Sequence, residues 1–288
     1  MRYIVSATFE ISAIKKGILN RFSGLSIRSL LYNKILASFL DAESIHEYKG
    51  LKPFSVSPIY DYLKGRPMVF DRGSEFQHGF FKVNFLSIKD YYKVIDALTK
   101  YDALMIDGIQ TKVLNIEFSI KSYNQLVNNT KVINEFTINF ITPTSIRASP
   151  YYIKTVKVNG KRRVIVKKKN KRKVTYLPIP QPNLLFKSIL RQLRKFSGLE
   201  SFPFSEISDF IESDGVFIKG YDDGIRTRLI KISPKEMYLG FVGKVTFRVD
   251  SENEYSKFIY TLLHYAEYCN IGVGRTAGFG WIKTIQMR

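Results

Sequence analysis

Hydrophobic and polar residues alternate in several segments of the chain, which predicts strands, and other segments carry apolar residues at helical spacing. In the first half, a strand over residues 3–9 precedes a helix with Leu31, Ile35 and Phe39 on one face. Further elements follow: an extended stretch at 53–60, a strand at 81–85, a helix at 91–98 and a strand at 109–120. The order β-α-β-β-α-β is that of the ferredoxin-like fold.

The second half repeats this order of elements. Phe136, Ile138 and Phe140 alternate with polar residues and predict its first strand, which Pro143 ends. The later elements are a helix at 185–196, strands at 216–218, 228–232 and 245–249, a helix at 258–269 and a last strand at 281–285. We therefore expect an α+β protein of two tandem ferredoxin-like (RRM-like, βαββαβ) domains, over residues 1–125 and 130–288.

Two serine–acid pairs with a spacing of three residues predict where two helices begin. They are Ser87 with Asp90, and Ser251 with Glu254. In a capping box the serine side chain accepts a bond from the backbone N–H three residues on, and the residue there bonds back. We expect the second helix of each half to begin at these serines.

Charge narrows the choice of partner. The chain carries 45 Lys and Arg against 25 Asp and Glu, a formal net charge of +20, and a field of that sign attracts phosphate polymers. Membranes are anionic too, but no apolar run approaches the roughly 20 residues that a spanning helix needs, and the N-terminus has the pattern of a strand. Cys269 is the only cysteine, which excludes a disulfide framework and a cysteine zinc site. We expect a cytoplasmic protein that binds nucleic acid.

Residues 154–173 carry eleven cations and no acid, interleaved with valine and isoleucine. Asn159-Gly160 is a strong hairpin signal, so we predict a basic β-hairpin inserted in the second domain. The alternative is a solvated hairpin without a ligand. The cations that we assign to RNA are Lys154, Lys157, Lys161, Arg162, Arg163, Lys167, Lys168 and Lys169.

A glycine-rich loop, residues 272–280, precedes the last predicted strand. Converging backbone N–H groups in such a loop can hold phosphate oxygens. The spacing and the helix-to-strand order do not match a dinucleotide fingerprint. The alternative is that Gly272 is only a helix C-cap, but a cap needs one glycine and this loop has four. We therefore predict RNA contact by Gly272, Gly274, Arg275, Gly278 and Gly280.

Taken together, the tandem halves, Thr142-Pro143-Thr144 and the glycine-rich loop resemble the RAMP (repeat-associated mysterious protein) superfamily. Within it, the chain is most similar to the CRISPR-associated endoribonuclease that cuts repeat RNA from precursor transcripts. A local match lies in the first half, where members with an active-site histidine have a tyrosine in the helix, a histidine after it and a lysine six residues further. The resemblance implies Tyr32, His46 and Lys52 as the catalytic set, with Lys49 as the alternative to Lys52 at the phosphate.

The resemblance also implies a reaction that needs neither a metal nor a cofactor. The RNA 2′-hydroxyl would attack the phosphate, leaving a 2′,3′-cyclic phosphate and a 5′-hydroxyl. Histidine can transfer protons near neutral pH, lysine can hold the extra negative charge, and tyrosine can orient the 2′-hydroxyl. From the residues alone, His46 could equally be an ordinary surface histidine. His78 is the second candidate, and we interpret His264 as structural.

The expected partners are CRISPR repeat RNA in precursor transcripts and other CRISPR-associated proteins of an effector complex, for a monomer or a homodimer. Two other function classes stay open. One is a RAMP protein that binds guide RNA without cutting it, and the other is a basic structural protein, such as a ribosome-associated one. Replacing His46 by alanine separates the endoribonuclease from the RAMP protein that binds without cutting.

Overall fold

Two antiparallel sheets, one from each half of the chain, carry the helices of the protein. The computed structural model describes residues 1–19, 21–36, 51–68, 73–148, 151–158, 161–168, 175–233 and 236–287. Of residues 151–158 and 161–168 it describes the backbone alone.

The elements of the first half are β1 (Tyr3–Leu19), α1 (Ser23–Leu30), β2 (Phe54–Val56), β3 (Tyr60–Asp61), β4 (Arg66–Pro67), β5 (Ser74–Ile88), α2 (Tyr91–Thr99), β6 (Ala103–Ile106) and β7 (Ile109–Ser122). In the described residues the first sheet has seven strands, in the order β4-β3-β5-β1-β7-β6, with β2 paired to β5. Alternate residues of β1, among them Val5 and Phe9, are buried in one core with Ile27 of α1 and Leu98 of α2, as the period of two in a strand requires.

The strands of the second sheet are β8 (Glu135–Thr144), β13 (Val216–Gly220), β14 (Ile225–Ser233), β15 (Glu236–Val249) and β16 (Ile282–Met287). In the described residues their order is β13-β15-β8-β16, with β14 paired to β15. Phe136 and Ile138 of β8 are buried in one core with Leu193 and Leu262 of the helices. The helices are α3 (Tyr123–Asn128), α4 (Pro182–Ser197), α5 (Phe204–Glu212) and α6 (Lys257–Cys269). The element order confirms the α+β, doubly ferredoxin-like fold that the sequence pattern predicted.

Four short or paired strands lie between the second sheet's first strand and α4. They are β9 (Ile146–Ala148), β10 (Tyr151–Val158), β11 (Lys161–Lys168) and β12 (Thr175–Leu177). Strands β10 and β11 pair antiparallel with Val158 opposite Lys161, and β9 pairs with β12. Asn159, Gly160 and Lys169 lie outside the described residues. The RNA contacts assigned to the cations of β10 and β11 stay predictions.

The halves are packed together at the helix that follows the first sheet. Helix α3 lies between the two predicted domains, and the boundaries drawn at 1–125 and 130–288 stay predictions. Ile4 and Leu86 of the first sheet belong to the core of the second half.

No helix in the parts of the chain that the structure describes is long and apolar enough to span a membrane.

Both predicted capping boxes are wrong. The cap of α2 is Asp90, without a side-chain bond, and Ser87 Oγ instead donates to the carbonyl of Phe196 in the other half at 3.2 Å. Before α6, Asn253 accepts a bond from Tyr255 N and caps a 3₁₀ turn (Glu254–Ser256). A capping box does exist at α3, where Ser122 and Gln125 bond reciprocally. Ser87 thus takes a partner that the tertiary fold brings to it, whereas Ser122 caps its own helix.

Candidate functional site

The structure brings two of the three predicted catalytic residues into one region. Tyr32 lies in a single π-helical turn (Leu31–Ile35) that continues α1. Lys52 lies two residues before β2, with Pro53 between them. The Tyr32 ring meets the ring of Phe54 edge-on, at 5.5 Å between centroids. His46 falls in residues 37–50, outside the described residues, as does Lys49.

Two further cations accompany this pair. The Arg28 guanidinium, one helical turn before Tyr32, lies 5.7 Å from the centroid of the tyrosine ring, within the range of a cation–π contact. Lys195 of α4 donates to the carbonyl of Leu51 at 3.2 Å. We call Arg28, Tyr32, Lys52 and Lys195 the basic cluster.

Burial and neighbouring charges shift the pKa values of two residues of the cluster. Burial lowers the pKa of Lys52, and the positive charges of Arg28 and Lys195 lower it further. Burial raises the pKa of Tyr32, while Arg28 opposes that rise through its charge and a hydrogen bond. The cluster therefore presents a neutral phenol beside several cations, a combination suited to an anion that gains charge during a reaction.

The glycines of the glycine-rich loop are required by close backbone packing. A Cβ on Gly280 would lie 1.8 Å from the carbonyl oxygen of Ile271, and one on Gly272 would lie 2.2 Å from that of Ser145. Both residues also have positive φ, 70° and 81°, which favours glycine. The alternative prediction, that Gly272 is only the C-cap of the preceding helix, is wrong. Helix α6 ends at Cys269, and Asn270 takes the C-cap position.

The loop packs on the first half of the chain. A Cβ on Gly278 would meet Pro58 at 3.0 Å, and the Phe279 and Phe22 rings lie 4.6 Å apart. Asn270 Nδ2 donates to the carbonyl of Val56 at 2.9 Å. The glycine-rich loop therefore packs at the interface between the two halves of the chain.

Arg275 has partners other than the phosphate that the sequence suggested. Its side chain is only 5% exposed. The guanidinium donates to the carbonyl oxygen of Cys269 at 2.9 Å and to that of Lys52 at 3.2 Å. In this arrangement the cation bonds protein carbonyls and joins the loop to the basic cluster.

A basic cleft of about 760 Å³ lies between α4 and the glycine-rich loop. Lys187, Arg191 and Arg194 of α4 line it, and Lys52 lies at its border with the basic cluster. Arg147, Gly272, Gly274 and Arg275 also line it, and among the described residues that line it there is no aspartate or glutamate. We call it the α4 cleft.

The cations of the α4 cleft could have been found in the sequence. Lys187, Arg191 and Arg194 are spaced by four and three residues, which places them on one helix face. Ile189 and Leu193, between them in the sequence, are fully buried on the opposite face. Lys187 pairs with Glu212, and Arg194 lies 5.8 Å from the ring of Phe204. This basic stripe is the signal that the sequence prediction missed.

The two other histidines have different surroundings. His78 Nε2 lies 3.1 Å from the Glu10 carboxylate, and its ring meets that of Tyr62. Burial lowers the pKa of His264, whose ring packs on Tyr260; these contacts agree with a structural role. Among the described residues, no three His, Cys, Asp or Glu side chains are grouped so that they could hold a metal ion.

The family model of the CRISPR-associated endoribonuclease Cas6 matches residues 138–282 of the chain. A Cas6 product complex of Thermus thermophilus has 18% sequence identity and a TM-score of 0.73, with 99% of this chain and 100% of that one covered. A Cas6 substrate mimic complex has 15% identity and a TM-score of 0.65, with 98% and 99% covered. A RAMP protein that binds different RNA substrates has 13% identity and a TM-score of 0.58, with 98% and 100% covered. No curated protein matches the sequence.

Proposed function

The chain belongs to the family of the CRISPR-associated endoribonuclease Cas6, and we propose on that premise that it cuts CRISPR repeat RNA at the basic cluster without a metal ion. The observation that supports the proposal is that Arg28 lies over the Tyr32 ring while its charge also acts on Lys52, so that both residues lie near the same cation. The sequence resemblance implies Tyr32 and Lys52 independently of their position in the fold. Cytoplasmic location and association with other CRISPR-associated proteins remain part of the proposal.

In the proposed reaction, RNA supplies its own nucleophile. The 2′-oxygen forms a bond to the adjacent phosphorus as its proton passes to a base, and the bond from phosphorus to the 5′-oxygen breaks as that oxygen takes up a proton. Histidine is suited to proton transfer near neutral pH, so we assign it to His46. The products are a 2′,3′-cyclic phosphate and a 5′-hydroxyl.

Lys52 and Tyr32 have complementary roles in this proposal. The phosphorane gains negative charge, and a nearby ammonium stabilises it more strongly than the ground state. Arg28 and Lys195 add positive potential at the same place. The neutral Tyr32 phenol is suited to orient the 2′-hydroxyl by a hydrogen bond.

The proposed path of the RNA backbone continues from the basic cluster into the α4 cleft. Lys52 borders both places, and the cations that line the cleft attract a polyanion, although Lys187 is also paired with Glu212. Gly272 and Gly274 border the cleft and are proposed to contact RNA through their backbone. The cations of β10 and β11 are proposed to extend this surface.

The test measures cleavage of repeat RNA in EDTA and identifies the product ends. We expect His46→Ala to slow single-turnover cleavage by roughly 10²- to 10⁴-fold, with RNA affinity little changed. Lys52→Ala should also slow it, whereas Lys93→Ala, an exposed lysine of α2, is the matched control. A 2′-deoxy substitution at the scissile nucleotide should stop cleavage and leave binding intact.

Opposite results would reject the proposal. Activity that requires a divalent metal, or that survives the 2′-deoxy substitution, would indicate attack by an activated water. Tight binding of repeat RNA without any cleavage would favour the non-catalytic RAMP alternative. Cleavage that is unchanged in His46→Ala would remove that residue from the site.

A further inference from the structure

Arg275 lies where the glycine-rich loop, the end of α6 and the basic cluster meet. Its guanidinium is buried, and its two terminal nitrogens donate to two carbonyls from different halves of the chain, those of Cys269 and Lys52. The two bonds span 6 and 223 residues of sequence. A planar guanidinium fixes the directions of both bonds at once, so it sets the position of Lys52 relative to α6.

The main chain beside Lys52 is held from two sides. On the far side, the Pro53 carbonyl accepts a bond from Leu86 N at 2.8 Å, and Phe54 pairs with Phe85 in the sheet. Lys52 directly precedes Pro53 in the chain. Its carbonyl bond to Arg275 therefore anchors the segment at the point where the side chain leaves for the basic cluster.

The main-chain bond to Arg275 matters because neighbouring positive charges repel the Lys52 ammonium. The positive charges of Arg28 and Lys195 act on the Lys52 ammonium and lower its pKa. Repulsion favours rotamers that move a flexible lysine away from its neighbours. A fixed main chain limits how far the ammonium can withdraw.

We infer that Arg275 is a positioning residue for the cleavage reaction, holding the Lys52 backbone so that its ammonium stays at the scissile phosphate. The inference rests on the proposed function, in which Lys52 stabilises the phosphorane. A displacement of about 1 Å at a reacting group can cost roughly 10²-fold in rate, and Arg275 acts on the rate through Lys52, because its guanidinium nitrogens donate to protein carbonyls.

The first experiment compares Arg275→Ala with the unmodified protein in single-turnover cleavage of repeat RNA. We expect the cleavage rate at saturating protein to fall about 10²-fold, with the Kd for a non-cleavable 2′-deoxy RNA changed less than about threefold. Guanidinium ion at millimolar concentration should restore part of the rate, since it can refill the space and donate to both carbonyls. An unchanged rate, or a parallel loss of binding, would overturn the inference.

The second experiment is a double-mutant cycle with Lys52. If Arg275 acts through Lys52, Arg275→Ala should cost little once Lys52→Ala has been made. Full multiplication of the two losses would overturn the inference. If Lys52→Ala alone cleaves at the normal rate, the proposed function loses its lysine; if it is slow while Arg275→Ala is normal, the further inference alone fails.

Arg2 provides a matched control. It too is an arginine of one half that donates to a carbonyl of the other, that of Phe196 at 3.2 Å, and its second bond goes to Ser87. Arg2→Ala should keep the normal cleavage rate. A loss of rate equal to that of Arg275→Ala would assign both residues to general stability and overturn the inference.

Arg275→Lys answers the same question if the alanine variant does not fold. It keeps the positive charge but cannot donate to both carbonyls in one plane. We expect a folded protein, with an unchanged melting temperature within a few degrees, that binds RNA normally and cuts it at least tenfold more slowly. A normal rate in this variant would contradict the inference.

Discussion

Lys52 is surrounded by groups that all act on its pKa in one direction. Burial is the largest cause, Arg28 the second and Lys195 the third, and each favours the neutral amine. The lysine is charged below its pKa and loses its charge as pH rises through it. Cleavage that depends on the ammonium should therefore decline at a lower pH than an ordinary lysine would give.

Arg28→Gln tests this dependence. Removal of the Arg28 charge raises the pKa of Lys52 towards its ordinary value, so the alkaline decline in cleavage should move to higher pH. The measurement is the single-turnover rate as a function of pH, corrected with Lys52→Ala for cleavage that does not need the lysine. Lys93→Gln on α2 should leave the midpoint in place, and a midpoint that does not move in Arg28→Gln would contradict the assignment.

Only some of the residues in this site could be predicted from the sequence. Tyr32 and Lys52 were chosen by their spacing in a local resemblance. Arg275 was visible as a cation in a glycine-rich loop, but its partner Lys52 lies 223 residues away. The local sequence does not distinguish a buried arginine that bonds carbonyls from a surface arginine that bonds phosphate. The burial of Arg275 therefore becomes visible only in the folded structure.

At the scale of elements, α4 combines a buried face with a basic one. Arg191 and Lys187 line the α4 cleft, and each contact with a phosphate contributes about 0.7 to the salt dependence of single-strand binding, as log Kd against log salt. We expect Lys187→Gln with Arg191→Gln to weaken RNA binding and to lower this slope by about 1.4, twice that value. The measurement is Kd over a range of salt concentrations.

The control is a matched pair on another helix. Lys93 and Lys100 of α2 are exposed lysines paired with carboxylates, and Lys93→Gln with Lys100→Gln should leave the slope unchanged. Cleavage at saturating protein should stay normal in both double variants. An unchanged slope in the α4 variant would remove this helix from the RNA path.

The order of elements was more predictable than their ends. Strands and helices follow from the period of apolar residues, which the fold preserves in β1, β8 and α4. Helix starts depend on hydrogen bonds of single side chains, and Ser87 bonds the Phe196 carbonyl of the other half where local spacing predicted a cap. The local pattern does not contain that competing partner.

At the scale of the molecule, one strand contributes to both cores. Ile4 of β1 belongs to the core of the second half, and its neighbour Val5 to the core of the first. Adjacent residues of a strand face opposite sides, so neither half can release this strand without exposing apolar surface of both. We therefore expect the two halves to unfold in one transition.

Trp281, the single tryptophan, reports on the second half, where it precedes β16. Ile4→Ala should destabilise the protein by about 2–5 kcal/mol. Val5→Ala should also shift the urea midpoint of Trp281 fluorescence, although Val5 is buried in the first half's core. Two separate transitions, or a Trp281 signal that ignores Val5→Ala, would contradict shared unfolding.

The shared strand also determines how a substrate can arrive. Because separating the halves would expose the core around Ile4, we expect the protein to meet its RNA as a body of fixed shape. Encounter is then limited by diffusion and charge, which steers association to as much as about 10⁸–10⁹ M⁻¹s⁻¹ at low salt. Capture of a passing transcript should be fast and salt-sensitive, and its speed should not wait for any opening motion.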